Sequence, residues 1–196
     1  MKSPSDKLVA GIGINDGSIS ATVNGVRRKE YELWKNMIQR VYLPFMLNRG
    51  PSYVGCSVSD TFKYYHKFYN WCQEQIGFNE KDFALDKDLL LKGNKVYSEN
   101  ICVFIPHELN SLILFNNARR GDCPVGVRNR NDRYIAECRV HGVKKHIGSF
   151  DTPELAFNAY KEVKEAYIKE LANSFINKID PRAYDALLNY SVHIDD

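Results

Sequence analysis

The chain is short of the residues that build covalent or metal-bound frameworks. Only five of its 196 residues are cysteine (Cys56, Cys72, Cys102, Cys123 and Cys138), and no two stand in a C-x-x-C spacing. An odd count without that spacing argues against both a disulfide framework and a zinc ribbon. Each thiol lies in or beside an apolar run, where it reads as a small buried hydrophobe. No apolar stretch approaches the roughly 18 residues that a membrane span needs. Behind Met1-Lys2-Ser3-Pro4-Ser5-Asp6 there is no apolar core of a signal peptide, so the expectation is an intracellular protein in a reducing compartment. Internal repeats are lacking too. A formal net charge of +3 is too small to name a partner.

What is present is an ordinary globular balance, with 44% hydrophobic and 26% charged residues, which argues against a disordered chain. The length suits one large domain or two small ones. Residues 1–28 are rich in Gly, Ser and Asn and read as an irregular arm with at most a short hairpin. Leu33, Trp34, Met37, Ile38, Val41, Tyr42 and Phe45 then recur on one helical face. A second helix, capped by Ser59 or Asp60, carries Phe62, Tyr65, Phe68, Tyr69, Cys72 and Ile76 and stops at Gly77. From 83 to 114 the order is strand, Gly93-Asn94 turn, strand 101–105, and a helix that Pro106 opens. That is the order of a ββα metal-binding nuclease motif.

Residues 116–123 read as a linker, and three short strands follow at about 125–129, 133–141 and 144–150. Thr152 and Pro153 then open a long helix with Leu155, Ala156, Ala159, Tyr160, Val163, Ala166, Tyr167 and Leu171 as its apolar stripe. A last short helix is expected over 182–189. The predicted fold class is α+β: a helical ββα domain over 1–115, then a three-stranded antiparallel sheet on one long helix over 124–196.

Positive charge is concentrated in that second half. Between Ala118 and Ser149 stand eight basic residues (Arg119, Arg120, Arg128, Arg130, Arg133, Arg139, Lys144 and Lys145) against three acids, Asp122, Asp132 and Glu137. Alternation along the middle strand sends Tyr134, Ala136, Cys138 and Val140 towards the helix. Arg133, Ile135, Glu137, Arg139 and His141 go to the other face. Such a face is either solvated, which is common in antiparallel sheets, or a major-groove reader. The preference for Arg over Lys favours DNA, because the planar guanidinium fits phosphate and guanine geometry.

The wording of this segment carries a resemblance. Val125-Gly126-Val127-Arg128, Tyr134-Ile135-Ala136-Glu137-Cys138-Arg139, Ile147-Gly148-Ser149-Phe150-Asp151-Thr152 and Ala156…Ala159-Tyr160 resemble the plant ethylene-response-factor DNA-binding domain, a module that also occurs in phage homing endonucleases. In that family the sheet lies in the major groove. The resemblance implies DNA contacts from Arg128, Arg130, Arg133, Glu137, Arg139, Lys144 and His146. His146 stands where the plant family usually has Trp.

The first half resembles the phage branch of the HNH endonucleases over residues 9–114. Gly11-Ile12-Gly13-Ile14-Asn15-Asp16, Trp34-Lys35-Asn36-Met37…Arg40 and Tyr53…Gly55-Cys56-Ser57-Val58 carry it, together with Leu85-Asp86-Lys87-Asp88…Gly93-Asn94-Lys95-Val96-Tyr97-Ser98 and Asn100-Ile101-Cys102-Val103-Phe104-Ile105-Pro106…Asn110. Laid on that motif, Asp86 takes the first metal-ligand position, Asn100 the structural Asn and Asn110 the ligand on the helix. Lys87 falls where the family has its His general base. A lysine, with an ordinary pKa of about 10.4, stays protonated unless deeply desolvated, so it neither accepts a proton from water nor tolerates a metal nearby. Asp88 is adjacent and His107 lies on the following helix three residues before Asn110, but neither occupies the required position.

Together these features imply a domesticated homing endonuclease: a sequence-specific protein for double-stranded DNA that acts as a transcriptional repressor without cleavage. No cofactor is then expected. The alternative is an active homing nuclease or nickase, with Asp86, Asp88 and Asn110 holding Mg²⁺. The resemblance places the protein in the cytoplasm of a bacterial host, associated with the nucleoid, and a homodimer would suit an inverted-repeat target.

Overall fold

Among the described residues, apolar side chains gather into a core within each of two units. The computed structural model describes residues 8–49, 51–114 and 123–196, and the units are Met1–Ile105 and Pro106–Asp196. The fold class is α+β, as expected. Among the described residues no helix is long and apolar enough to cross a membrane.

In the first unit, β1 (Thr22–Val23) and β2 (Val26–Arg27) make the short hairpin of the arm, joined by Asn24-Gly25. Helix α1 (Lys29–Tyr42) buries Trp34, Met37, Ile38 and Val41, the stripe read from the sequence. It stops at Tyr42 because Pro44 disfavours helical backbone at Leu43, whose φ is −93° and ψ 122°. Phe45, expected in the α1 stripe, therefore belongs to the separate α2 (Pro44–Arg49) and is exposed.

Helix α3 (Tyr65–Glu74) also begins later than its pattern suggests. Ser59 does accept from the Phe62 N–H at 3.2 Å, but it closes a turn and not the helix. Ile14 captures the backbone on either side of Tyr64, donating to Lys63 O at 2.8 Å and accepting from Tyr65 N at 2.9 Å. Residue 64 is thus held extended, and the helix can start only beyond it. Phe62, Tyr65, Phe68 and Cys72 still reach the core, whereas Ile76 is exposed. Strand β3 (Ser57–Val58) runs parallel to β5 (Val96–Tyr97), and β4 (Phe83–Asp86) pairs with β6 (Val103–Pro106).

The second unit begins with α4 (His107–Ile113), the helix that the sequence reading kept with the nuclease-like half. Two tyrosines hold it there: Tyr167 Oη donates to Glu108 Oε1 at 2.9 Å, and Tyr190 Oη to Ile113 O at 3.2 Å. The expected linker falls almost wholly outside the described residues. Strands β7 (Val127–Arg130), β8 (Arg133–Val140) and β9 (Val143–Phe150) form an antiparallel sheet in that order. Both connections are two-residue loops with positive φ throughout, Asn131 and Asp132 at 51° and 59°, His141 and Gly142 at 49° and 74°. These are type I′ turns, whose twist matches that of the strands.

Helix α5 (Pro153–Ser174) lies across the sheet, with Thr152 Oγ1 accepting from Leu155 N at 3.3 Å as its cap. Ala136, Cys138, Ala156, Phe157 and Tyr160 form the interior, with Tyr134 and Val140 half-buried beside them. The helix is rotated from the expected stripe: Leu155 and Ala166 are exposed, and Phe157, Ile168 and Ala172 are buried. Gly126, at φ +74°, lets β7 approach so closely that a Cβ there would overlap the Tyr160 ring. A final helix, α6 (Pro181–Leu188), packs on α5.

Candidate nucleic-acid interface

Register decides what the outer face of the β7–β9 sheet presents. Arg128 lies opposite Ile135 and Arg130 opposite Arg133 across the first ladder. Across the second, an irregularity between Ala136 and Glu137 resets the pairing, so that Glu137 faces His146 and Arg139 faces Lys144. Directly opposed residues share a face. Arg128, Arg130, Arg133, Glu137, Arg139, Lys144 and His146 therefore all lie on the side away from α5. Ile135 is the apolar residue among them, and it is buried.

The centre of this face is a three-strand ion cluster. Arg128 on β7 donates twice to Glu137 on β8, Nε to Oε2 at 3.0 Å and Nη2 to Oε1 at 2.9 Å. From the other flank Lys144 Nζ on β9 reaches Glu137 Oε2 at 2.6 Å. Both cations sit on the diagonals from Glu137, the positions that long side chains reach across a ladder. Their hydrogen bonds, Arg128 first and Lys144 second, pull the Glu137 carboxyl down to a pKa of about 2. Beside the cluster is an open depression of about 240 Å³, lined in part by Arg128, Glu137, Arg139 and Lys144.

Two further arginines are oriented by neighbours. Arg133 pairs with the Asp151 carboxylate and donates from Nη2 to Ser149 O at 2.9 Å. Arg139 Nη1 donates to Gly142 O at 2.6 Å, which ties it to the β8–β9 turn. Asp151 and Ser149 had no part in the sequence reading of the face; their role depends on where β9 ends relative to β8. Even with both acids counted, five permanent cations stand on this surface against the carboxylates of Glu137 and Asp151.

The nuclease-like residues are arranged differently. Asp86 is buried at the end of β4, where its Oδ1 accepts the N–H groups of Asp88 at 2.8 Å and Leu89 at 2.7 Å. Burial raises its pKa, and those two N–H donors oppose the rise. Lys87 is buried too. Its Nζ donates to both oxygens of Asp88, at 2.6 and 2.7 Å, and to Asn94 O at 2.9 Å, with the Tyr97 ring centroid 5.7 Å away. Asn94 closes the knot from the other side, donating to Lys87 O and Val96 O. Asn100 is exposed in the turn before β6, and His107 is exposed at the start of α4. Asn110 is half-buried in α4; its Oδ1 is enclosed without a hydrogen-bond partner.

Asp86 and Asn110 are the pair that the HNH resemblance assigns to Mg²⁺. Around Asp86 and Asp88 the chain's own donors compete with a divalent cation. The Asp86 oxygen is engaged by backbone donors, the neighbouring carboxylate is neutralised by an ammonium, and that ammonium would repel the metal. Elsewhere in the first unit, His66 Nδ1 lies 2.8 Å from Asp16 Oδ2. The bridge between Ile14 and Tyr64, with Val9, Ala10 and Ile19 packed on the core, brings that arm within reach, and nothing in the local sequence announces it. Comparison with protein families, curated proteins and solved structures finds no match for this chain.

Proposed function

We propose that this protein binds double-stranded DNA sequence-specifically through the outer face of the β7–β9 sheet and regulates transcription by occupying its site without cutting it. One observation carries the reading: five cationic side chains share the sheet face turned away from α5. Three strand axes span about 10 Å, and the major groove is about 12 Å wide. Arg128, Arg130, Arg133 and Arg139 offer planar forks that match guanine O6/N7 edges or phosphate oxygens. Phosphate contacts then supply affinity, and base contacts supply choice. The ammonium of Lys87, locked on Asp88, supports the non-cleaving part of the proposal, because hydrolysis needs a proton acceptor there. A protein that holds its site without cutting can exclude polymerase from a promoter.

The test is selection from a random-sequence duplex pool, followed by gel retardation on the enriched site over a salt series. Enrichment of a defined sequence and a salt-dependent shift are expected; absence of any shift at low ionic strength would remove DNA as the partner. Nicking of the selected site in Mg²⁺ or Mn²⁺ would overturn the non-cleaving half.

A further inference from the structure

Strand β7 stops short of the full length of β8, and what it leaves bare is chemically specific. Gly126, at φ +74°, turns the chain in towards Tyr160. Strand β7 therefore covers β8 only from Arg133 to Ala136, with one further bond from Glu137 N to Gly126 O at 2.9 Å. The two-residue turn makes Val140 and Val143 a hydrogen-bonded pair, and alternation then points the backbone groups of Glu137 and Arg139 to the β7 side. Among the described residues the Arg139 N–H finds no oxygen acceptor there. It and the Arg139 C=O meet only the weakly bonding Cys138 thiol.

On the inner side of this notch lies a cation without a counter-charge. Lys164 stands one helical turn beyond Tyr160 on α5, faces Cys138, and is 8% exposed. Among the described residues no carboxylate or hydrogen-bond acceptor holds its ammonium, and burial lowers its pKa. On the outer side Arg128, Arg139 and Lys144 line the depression of about 240 Å³, whose one carboxylate, Glu137, is already neutralised.

We propose that an extended acidic segment of a partner protein docks here, adding to β8 as a short strand in the track that β7 leaves. Arg139 offers a donor and an acceptor pointing the same way, which a peptide backbone matches and a lone anion does not. Side chains of an added strand alternate between faces. The residue opposite Arg139 joins the cations of the outer face, and its neighbour, opposite Cys138, is turned towards Lys164. Carboxylates at both positions answer cations on both sides. A basic segment would be repelled, and an apolar one would leave Lys164 without a partner. A second copy of this chain would bring the same cations to the same edge. The proposal stands apart from the DNA-binding reading, although an acidic segment and DNA would compete for Arg128 and Arg139.

The experiment titrates the isotope-labelled full chain with capped pentaglutamate and follows the Arg139 backbone amide by NMR, with no duplex present. The control peptide is pentaglutamate N-methylated at every amide, which keeps each charge and cannot pair with a strand edge. Pentaglutamate should move the Arg139 amide downfield and slow its exchange with solvent. The N-methylated peptide should bind about tenfold more weakly. Lys164→Met should weaken pentaglutamate binding about tenfold without lowering the melting temperature, because it removes a buried charge that has no partner. An unmoved Arg139 amide, equal binding of the two peptides, or unchanged affinity in Lys164→Met would each overturn the proposal. An equal shift from inorganic phosphate at matched ionic strength would make the notch a general anion site and overturn it as well. Protection of the Arg139 amide that grows with protein concentration alone would give the edge to a second copy, with the same consequence. Should Lys164→Met fold poorly, the comparison of the two peptides on the parent decides.

Discussion

The two units each hold a carboxylate against a cation, and they use the pair in opposite ways. In the first, the Lys87 ammonium is 7% exposed and lies on an Asp88 carboxylate that is 40% exposed, so the buried member is the cation. In the second, the acid Glu137 is the more enclosed member and its cations face water. A cation held inside by a carboxylate and a carbonyl is a structural part: it cannot leave without stranding a desolvated charge. A cation at the surface, leaning on a fixed acid, can be exchanged for a phosphate. The same chemistry thus supports folding in one place and, on the proposed function, recognition in the other, and burial decides which.

The largest expected break of this contrast is Gly126→Ala in the second unit. It forces an L residue into left-handed backbone and a methyl into the Tyr160 ring, and about 3 kcal/mol or more of stability should be lost. Urea denaturation measures it; a loss below about 1 kcal/mol would mean that β7 can retreat from α5.

Lys87→Met comes next. It removes the donor to Asp88 and Asn94 while keeping an apolar stem, and should lower stability by about 2–3 kcal/mol, less than for a fully enclosed pair because Asp88 can rehydrate. DNA binding measured where the variant is folded should be unchanged. A stable variant with altered DNA affinity would reverse the roles assigned to the two regions.

Arg130→Ala and Arg139→Ala should do the converse. Each is expected to weaken binding to the selected duplex by about 1–3 kcal/mol if it contacts a guanine, while stability stays within about 0.5 kcal/mol, as for ordinary surface substitutions. Equal affinity of variant and parent would remove that arginine from the interface.

The smallest effect concerns acid. The Glu137 carboxyl falls from an ordinary 4.5 to about 2 in the folded protein, so the folded state holds fewer protons than the unfolded one between those values. Its contribution is complete above about pH 4.5 and is lost as pH falls towards 2. The parent's melting temperature should therefore drop more steeply than that of Glu137→Gln across this window, modestly, because Glu137 lies near the surface. Superimposable acid profiles would show that the cluster adds nothing to stability.

How much of this was legible beforehand depended on whether a feature was local. The sheet, both tight turns and the start of α5 were readable because Asn131-Asp132, Gly142 and Thr152-Pro153 encode their own backbone geometry. The outer face was readable from Arg133 to Arg139 because side chains alternate along β8; His141, expected on that face, instead sits in the β8–β9 turn at φ 49° and lies against α5, 3.1 Å from Glu170 Oε1 and edge-on to the Tyr167 ring. The limits of α1 and α3 were blurred for opposite reasons. Pro44 was a local stop that periodicity overrode, whereas the extended conformation at Tyr64 is imposed by Ile14, far away in sequence. Asp16 beside His66 was invisible for that same reason. The rotation of α5, with Phe157 inward and Leu155 outward, follows from how the helix seats on Ala136 and Cys138, which no single-helix pattern contains. The Lys87–Asp88 knot was half legible: the adjacency was plain, but the enclosing Asn94 carbonyl was not.

The two-residue turns bear on how such a protein changes over time. With both loops at minimum length, an inserted or deleted residue in β7 or β8 that no bulge absorbs would invert the alternation and drive guanidinium groups into the seat of Ala136 and Cys138. Point replacement on the outer face disturbs none of the inward positions. The chemistry of the outer face can therefore change by exchange of letters at constant spelling length, and a change of length is tolerated only where a bulge absorbs it, as beside Ala136 and Glu137.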